Sequence, residues 1–260
     1  MPIRPDDVTA MLISHNEEAN IGRTLAALRG LKRIVLIDSG SSDRTLEIAG
    51  HYGAEVLHRP FDTFADQCNF GLGHIQTPYV LTLDADHVLA PDFAAALEAC
   101  DADRHSAWNA RFRYCVFGKP LRASLLPPRI ALFPVGRGRF VNDGHAHRVE
   151  VQGSVGMLSA AIDHDDRKPL HRWLAAQARY MEPEVRKLMT TPRHALSWPD
   201  RLRIRYLGPP LIVVYCLFVR GLLLDGARGL FYTGQRLYAE LLFALRLYEA
   251  RRSEHEARRA

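Results

Sequence analysis

Apolar and polar positions come in short alternating blocks along the first hundred residues. Val8–Ser14 (VTAMLIS) is apolar and ends at the polar cluster Ser14-His15-Asn16-Glu17-Glu18. A run of that length, bounded by polar residues, predicts a buried strand. Glu17–Gly30 places Ile21, Leu25 and Leu28 near helical spacing and stops at Gly30, which predicts an amphipathic helix. Arg33–Ile37 predicts a second strand. Asp43–His51 predicts a helix whose free N–H groups Asp43 can cap. Glu55–Leu57 predicts a third strand and Thr63–Gly71 a helix. Tyr79–Leu83 predicts a fourth strand, running directly into Asp84-Ala85-Asp86, and Pro91 opens a helix reaching Cys100.

Strands alternating with helices predict an α/β fold, a mostly parallel sheet with helices on both faces. Ligands in such sheets bind at the carboxyl ends of the strands. The polar clusters Ser14–Glu18, Asp38–Asp43 and Asp84–Asp86 fall at those ends. Beyond residue 105 the pattern changes. Ala107–Phe117, Arg129–Phe133 and Arg148–Val151 predict strands, and Leu170–Leu188 a helix. The organisation expected is one α/β domain over 1–195, its pattern changing near residue 105. A helical extension over 196–260 follows.

Two carboxylates one residue apart at a strand end, Asp84 and Asp86, can turn into a cleft and hold a Mg or Mn ion that binds a diphosphate. Alone, a DxD triplet is more often a solvated turn; here the preceding strand and the neighbouring clusters favour the site. Asp38, in Asp38-Ser39-Gly40-Ser41-Ser42-Asp43, can accept a hydrogen bond from a base or a ribose hydroxyl. Asp143 and His145, in Asn142-Asp143-Gly144-His145, are candidate general bases, and His147 stands nearby. In Asp163-His164-Asp165-Asp166-Arg167-Lys168, His164 is a candidate metal ligand. Asp165, Arg167 and Lys168 are candidates for gripping a phosphate or the acceptor.

Together these segments resemble the family-2 glycosyltransferases of GT-A fold. The matching pieces are MLISHNEEANIGRTLAAL, IVLIDSGSSDRTLEIA, FADQCNFGL and YVLTLDADHVL, over roughly residues 8 to 95. The likeness is greatest to bacterial members that build lipopolysaccharide cores or other lipid-linked glycans. The resemblance implies transfer from a nucleoside-diphosphate sugar, UDP-linked, to a glycan or lipid-linked acceptor with inversion. It places Ser14, Glu17, Asp38, Gln67, Asn69 and Asp84 at the nucleotide-sugar, and Asp86 at the metal. One departure is Cys68, where many relatives carry an arginine; a phosphate- or base-facing cation is then missing or supplied from elsewhere.

The net charge of +5 is uneven, with eleven arginines between positions 201 and 260. The apolar stretch from Leu207 to Val219, broken by Arg220, is shorter than the roughly 20 residues of a membrane span. Its interleaved Arg, Tyr, Leu and Phe predict helices lying in a membrane interface, peripheral to the cytoplasmic face of the inner membrane. No signal peptide is expected at the N-terminus, and the four cysteines have no metal spacing. A sugar-1-phosphate nucleotidyltransferase would want a glycine-rich basic loop after the first strand, where this chain has acidic SHNEEAN. A non-catalytic scaffold would not need both aspartates. No nucleic-acid reading motif accompanies the basic residues.

Overall fold

The structure, a computed structural model, describes residues 1–143, 146–257 and 259. The chain divides into two compact units, Met1–Pro120 with Ser124–Lys168, and Leu121–Ala123 with Pro169–Ala260. The helix from Leu170 groups with the C-terminal elements.

The N-terminal unit holds β1 (Val8–Ser14), β2 (Arg33–Asp38), β3 (Glu55–His58), β4 (Tyr79–Asp84), β5 (His87–Leu89), β6 (Ala107–Val116), β7 (Lys119–Pro120), β8 (Arg129–Pro134), β9 (Gly138–Asp143), β10 (Ala146–Val151) and β11 (Val155–His164). Its helices are α1 (Ile21–Ala27), α2 (Thr45–His51), α3 (Phe64–Leu72) and α4 (Phe93–Glu98). The sheet order is β3-β2-β1-β4-β8-β6-β11-β5, with β7 on β6, and β9 and β10 form a separate antiparallel pair. The first four strands run parallel, as the strand–helix alternation predicts. Antiparallel β8 then joins β4 to β6, and β11 runs parallel to β6.

Side-chain alternation along the strands buries two faces. Leu12, Leu36 and Leu81 join one core with Ile21 and Leu25 of α1. Met11, Val35, Ile37 and Val80 join the other, with Phe133 and Phe140. Each such side chain, fully buried, stabilises the unit by about 1.5–3 kcal/mol. Helix α3 lies close on this second face because position 71 is glycine. A Cβ there would stand 2.6 Å from Ile37 Cδ1 and 2.7 Å from Met11 Sδ.

Parallel register aligns the strand ends. Ser14 pairs with Asp38, and Ile13 with Asp84. Three polar clusters far apart in sequence thus meet along one edge. Helix α1 begins four residues later than expected, since Glu17–Asn20 form a turn in which the Asn20 and Ile21 N–H groups donate to the Glu17 carbonyl. Strands β5, β7, β9 and β11 escape the hydrophobic pattern. β5 has only three residues, and β11 is rich in small side chains with a register shift between Met157 and Ala161.

The C-terminal unit contains α5 (Leu170–Thr190), α6 (Trp198–Arg203), α7 (Gly208–Val214) and α8 (Ala227–Ala257). Met181, Val185 and Leu188 of α5 pack with Phe243 and Leu247 of α8 and with Leu196. After α7 the chain continues directly as a π-helix over Tyr215–Val219, and a 3-10 turn at Leu222–Asp225 leads to α8. Gly221 and Gly226 flank the latter at φ 68° and 59°. Among the described residues, no helix is long and apolar enough to cross a membrane.

Candidate active site

The loops after β1 and β2 are tied together by their own polar side chains. Asp38 is fully buried, and its carboxylate is occupied from within the unit. It accepts from Ser14 Oγ at 2.9 Å, from Ser41 Oγ at 2.5 Å, and from the Gly40 and Ser41 N–H groups at 2.9 and 2.8 Å. Burial alone would raise its pKa, but these four donors hold it below the ordinary carboxylate value. Asp38 thus braces the Gly40 turn, where φ is 92°. Asn16 spans the two loops, accepting from the Ser42 N–H at 2.9 Å and donating its own N–H to Ser41 Oγ at 2.9 Å. The Glu17 N–H donates to Thr45 Oγ1 at 2.7 Å.

The aspartates of the DxD triplet have different surroundings. Asp84 meets Arg129, whose Nη2 lies 2.6 Å from Asp84 Oδ2. Burial would raise the Asp84 carboxyl, but Arg129 reverses this and holds it well below the carboxylate range. Asp86 is buried, and its Oδ1 has no hydrogen-bond partner. Burial and the negative charge of Asp84 raise its pKa. His164 Nδ1 lies 3.5 Å from that oxygen. Antiparallel pairing of β11 with β5 puts His164 opposite His87.

Ligand-capable atoms of Asp86, His87 and His164 fall within 4.8 Å of one another. His87 differs from the other two. Its Nδ1 accepts the Asp84 N–H at 3.0 Å, and burial lowers its pKa far enough to keep the ring neutral. The ring proton then sits on Nε2, 3.4 Å from Asp84 Oδ2 and 3.3 Å from His164 Nδ1. A nitrogen carrying a proton has no lone pair to give a metal. Asp86 and His164 are therefore the pair that fits a divalent cation, an orphaned acidic oxygen beside an imidazole nitrogen.

A cavity of about 250 Å³ adjoins this site, lined by residues that include Cys68, Asp84, Arg129, Phe140 and His147. Cys68 and Arg129 line the same cavity, so β8 brings a guanidinium to the side of the site where Cys68 stands. Sequence reasoning missed Arg129 because it opens a strand among apolar residues, with no local motif. His147, on β10, packs against Phe64 and Phe140 at ring-centroid distances of 5.8 and 5.3 Å. Burial lowers its pKa and favours the neutral ring.

Gln67 and Asn69 act on the frame of the site. Gln67 Nε2 donates to Ser39 Oγ at 2.8 Å and to the Arg59 carbonyl at 2.9 Å. Asn69 gives its amide to strand β9, donating to the Phe140 carbonyl and accepting its N–H, both at 2.9 Å. Asp143 ends β9, at the head of the β9–β10 hairpin, and His145 lies outside the described residues.

The segment after β11 is stitched onto the first loop and the DxD turn. Lys168 Nζ lies 2.6 Å from Glu17 Oε1. Burial would lower the Lys168 ammonium, but Glu17 and Asp166 outweigh it and hold the pKa above its ordinary value. Asn20 donates to Glu17 Oε2 and Asp166 Oδ1 at 2.9 and 2.8 Å, and accepts the Arg167 N–H at 2.8 Å. Arg167 Nε donates to Asp165 at 2.8 Å, and the Asp165 N–H donates to the Asp86 carbonyl at 3.0 Å. Thr24 Oγ1 donates to the Ala85 carbonyl at 2.8 Å. Asn20 and Thr24 were legible in the sequence only as helix residues. Arg167 also passes against Gly118, where φ is 76° and a Cβ would collide with the guanidinium.

A profile of the glycosyl transferase family 2 matches residues 9–149, more than half of the chain. The chain belongs to that family. It is 26% identical over 164 residues to the lipopolysaccharide core biosynthesis glycosyltransferase LpsC of Rhizobium meliloti, covering 57% of this chain and 59% of that protein. It is 27% identical over 111 residues to an uncharacterized glycosyltransferase of Rickettsia felis, covering 41% of this chain and 39% of the relative. The chain thus spans less than two thirds of the length of either relative. The fold is similar to the mannosyltransferase PcManGT from Pyrobaculum calidifontis, whose structure was solved in complex with GDP-Man and Mn2+. That match has a TM-score of 0.50 at 15% identity and covers 95% of this chain and 89% of the other. The likeness is one of fold, the GT-A arrangement of a family-2 glycosyltransferase.

Proposed function

We propose that this family-2 glycosyltransferase moves a sugar from a UDP-sugar to a glycan or lipid-linked acceptor, with inversion, in cell-envelope polysaccharide or lipopolysaccharide synthesis. The observation that carries the reading is Asp86 Oδ1, buried without a hydrogen-bond partner 3.5 Å from His164 Nδ1. A buried polar atom left unpaired is costly, and a ligand that completes it removes the cost.

In this reading Asp86 and His164 hold Mg or Mn, which when bound neutralises charge on the departing diphosphate. Arg129 adds a fixed positive charge beside Asp84. Ser14, Glu17 and the loop braced by Asp38 receive the nucleoside. Gln67 and Asn69 hold α3 and β9 in place around the donor. Asp143 takes the proton of the acceptor hydroxyl as its oxygen attacks the anomeric carbon and the bond to the diphosphate breaks; His145 is the alternative base. Asp165, Arg167 and Lys168 frame the acceptor side. Residues 1–105 serve the donor, and the acceptor half follows. The relation to a lipopolysaccharide core enzyme supports the envelope acceptor. Exposed Phe218, Val219 and Leu224 in the C-terminal unit support peripheral contact with the cytoplasmic face of the inner membrane.

Calorimetric titration of UDP, GDP and CDP, each with Mn2+, with Mg2+ and with chelator, tests this. UDP is expected to bind with metal alone, and Asp86→Ala to weaken binding about a hundredfold or more. GDP or CDP in place of UDP would change the donor. Nucleotide binding indifferent to both chelator and Asp86→Ala would remove the metal reading.

A further inference from the structure

The C-terminal unit contains an open groove of about 770 Å³ whose lining includes Arg193, Arg201, Arg205 and Arg251 over the apolar side chains of Leu196 and Ile204. Among the described residues, no acidic side chain lines it. Of the carboxylates close by in the sequence, Asp200, Glu240, Glu249 and Glu256 are engaged elsewhere. Arg203 takes both Glu240, at 2.5 Å, and Asp200, at 3.6 Å. On α8, Arg246 pairs with Glu249 and Arg252 with Glu256, while Arg251 between them has no carboxylate. Among the described residues, none of the four groove arginines forms an ion pair.

Two of these side chains are anchored. Arg201 Nε donates to the Leu196 carbonyl at 3.1 Å, and Arg251 Nη1 donates to the Ile204 carbonyl at 2.9 Å. The Arg251 guanidinium also lies over the Tyr206 ring, 5.5 Å from its centroid. These contacts hold two guanidiniums in the groove, while Arg193 and Arg205 stay exposed at it. Four like charges gathered on one groove repel one another, and an anion bound among them adds an attraction to each that offsets that repulsion. Guanidinium forks match the oxygens of a phosphate group in geometry and charge.

We propose that this groove binds a phosphate-bearing anion, either a phospholipid headgroup or a free phosphate. The proposal stands apart from the transferase reading, because it uses none of the residues assigned to donor, metal or base.

The test uses the full chain and the double variant Arg193→Ala/Arg205→Ala. Neither side chain makes a hydrogen bond within the described residues, so their removal is expected to leave the far-ultraviolet circular dichroism unchanged. Both proteins are titrated calorimetrically with inorganic phosphate. Both are also sedimented with vesicles of phosphatidylcholine, alone or mixed with phosphatidylglycerol. Wild-type binding that the double variant weakens at least about tenfold supports the proposal. If phosphatidylglycerol vesicles alone are bound, the ligand is a lipid headgroup; if inorganic phosphate is bound, it is a free phosphate. Arg193→Lys/Arg205→Lys, which keeps the charge and loses the fork, should fall between the two proteins. The proposal is overturned if neither phosphate nor phosphatidylglycerol is bound. It is equally overturned if the folded double variant binds as wild type does, or if pure phosphatidylcholine is bound equally well.

Discussion

Residues 1–168 carry eighteen Lys and Arg against twenty-one Asp and Glu, and residues 169–260 carry sixteen against eight. The charges are also used differently. In the N-terminal unit several are matched in close, partly buried pairs: Asp84 with Arg129, Glu17 with Lys168, Asp165 with Arg167. In the C-terminal unit four arginines line a groove that, among the described residues, has no acidic side chain, and Leu224, Leu245 and Phe218 are each at least two-thirds exposed. An ion pair inside a fold costs desolvation and returns it only with close geometry, so it is found where geometry must be held. Unpaired cations stay well solvated, exposed apolar side chains forgo the stabilisation of burial, and both remain available for contact with something else. The contrast separates a unit built to position atoms from one whose surface is unfilled.

The largest expected effect that probes this contrast is at Arg129. Arg129→Met should lower transferase turnover about a hundredfold by removing the fixed cation. It should cost only about 1–2 kcal/mol of stability, because Asp84 is 33% and Arg129 43% exposed and water screens the charge left behind. A chemical melt beside a turnover assay separates the two; a stability loss as large as the activity loss would make Arg129 structural. Gly71→Ala should destabilise the N-terminal unit by about 1–3 kcal/mol, because the added methyl overlaps Ile37 and Met11. An unchanged melting temperature would show that α3 can shift.

The cysteines test the interior by pH. Burial raises Cys68 and Cys115 to about 12 and Cys100 to about 11, from an ordinary value of 9.0. The neutral thiols therefore favour the folded state. Their contribution is complete below pH 9, where the unfolded thiols are still protonated, and it is lost as pH rises through about 11 to 12. Thiol reagents near neutral pH should leave these cysteines unmodified until denaturant is added. Rapid labelling of native Cys68 would mean that the cavity beside Asp84 is open. The smallest effect belongs to the C-terminal unit. Leu224, 70% exposed, should tolerate Leu224→Ser within about 0.5 kcal/mol, as read by thermal melting. A larger loss would mean that its side chain is buried in an assembly.

The alternation of β1 to β4 with α1 to α3 was legible because apolar runs of strand length end at polar clusters, and parallel strands put those ends on one side. Asp84 and Asp86 were legible as a motif for the same reason. Local hydrogen bonding and hydrophobic periodicity act over a few residues, so a single sequence carries them directly. What tertiary structure alone decided is which distant groups meet. Arg129 reaches Asp84 across 45 positions because β8 runs antiparallel beside β4. His164 reaches Asp86 because three-residue β5 pairs with β11, and neither strand has a pattern that betrays it. Asn20, an unremarkable helix residue in the sequence, joins Glu17, Asp166 and Arg167 into one network. Such pairings depend on sheet order and register, and those are set by the packing of both sheet faces at once.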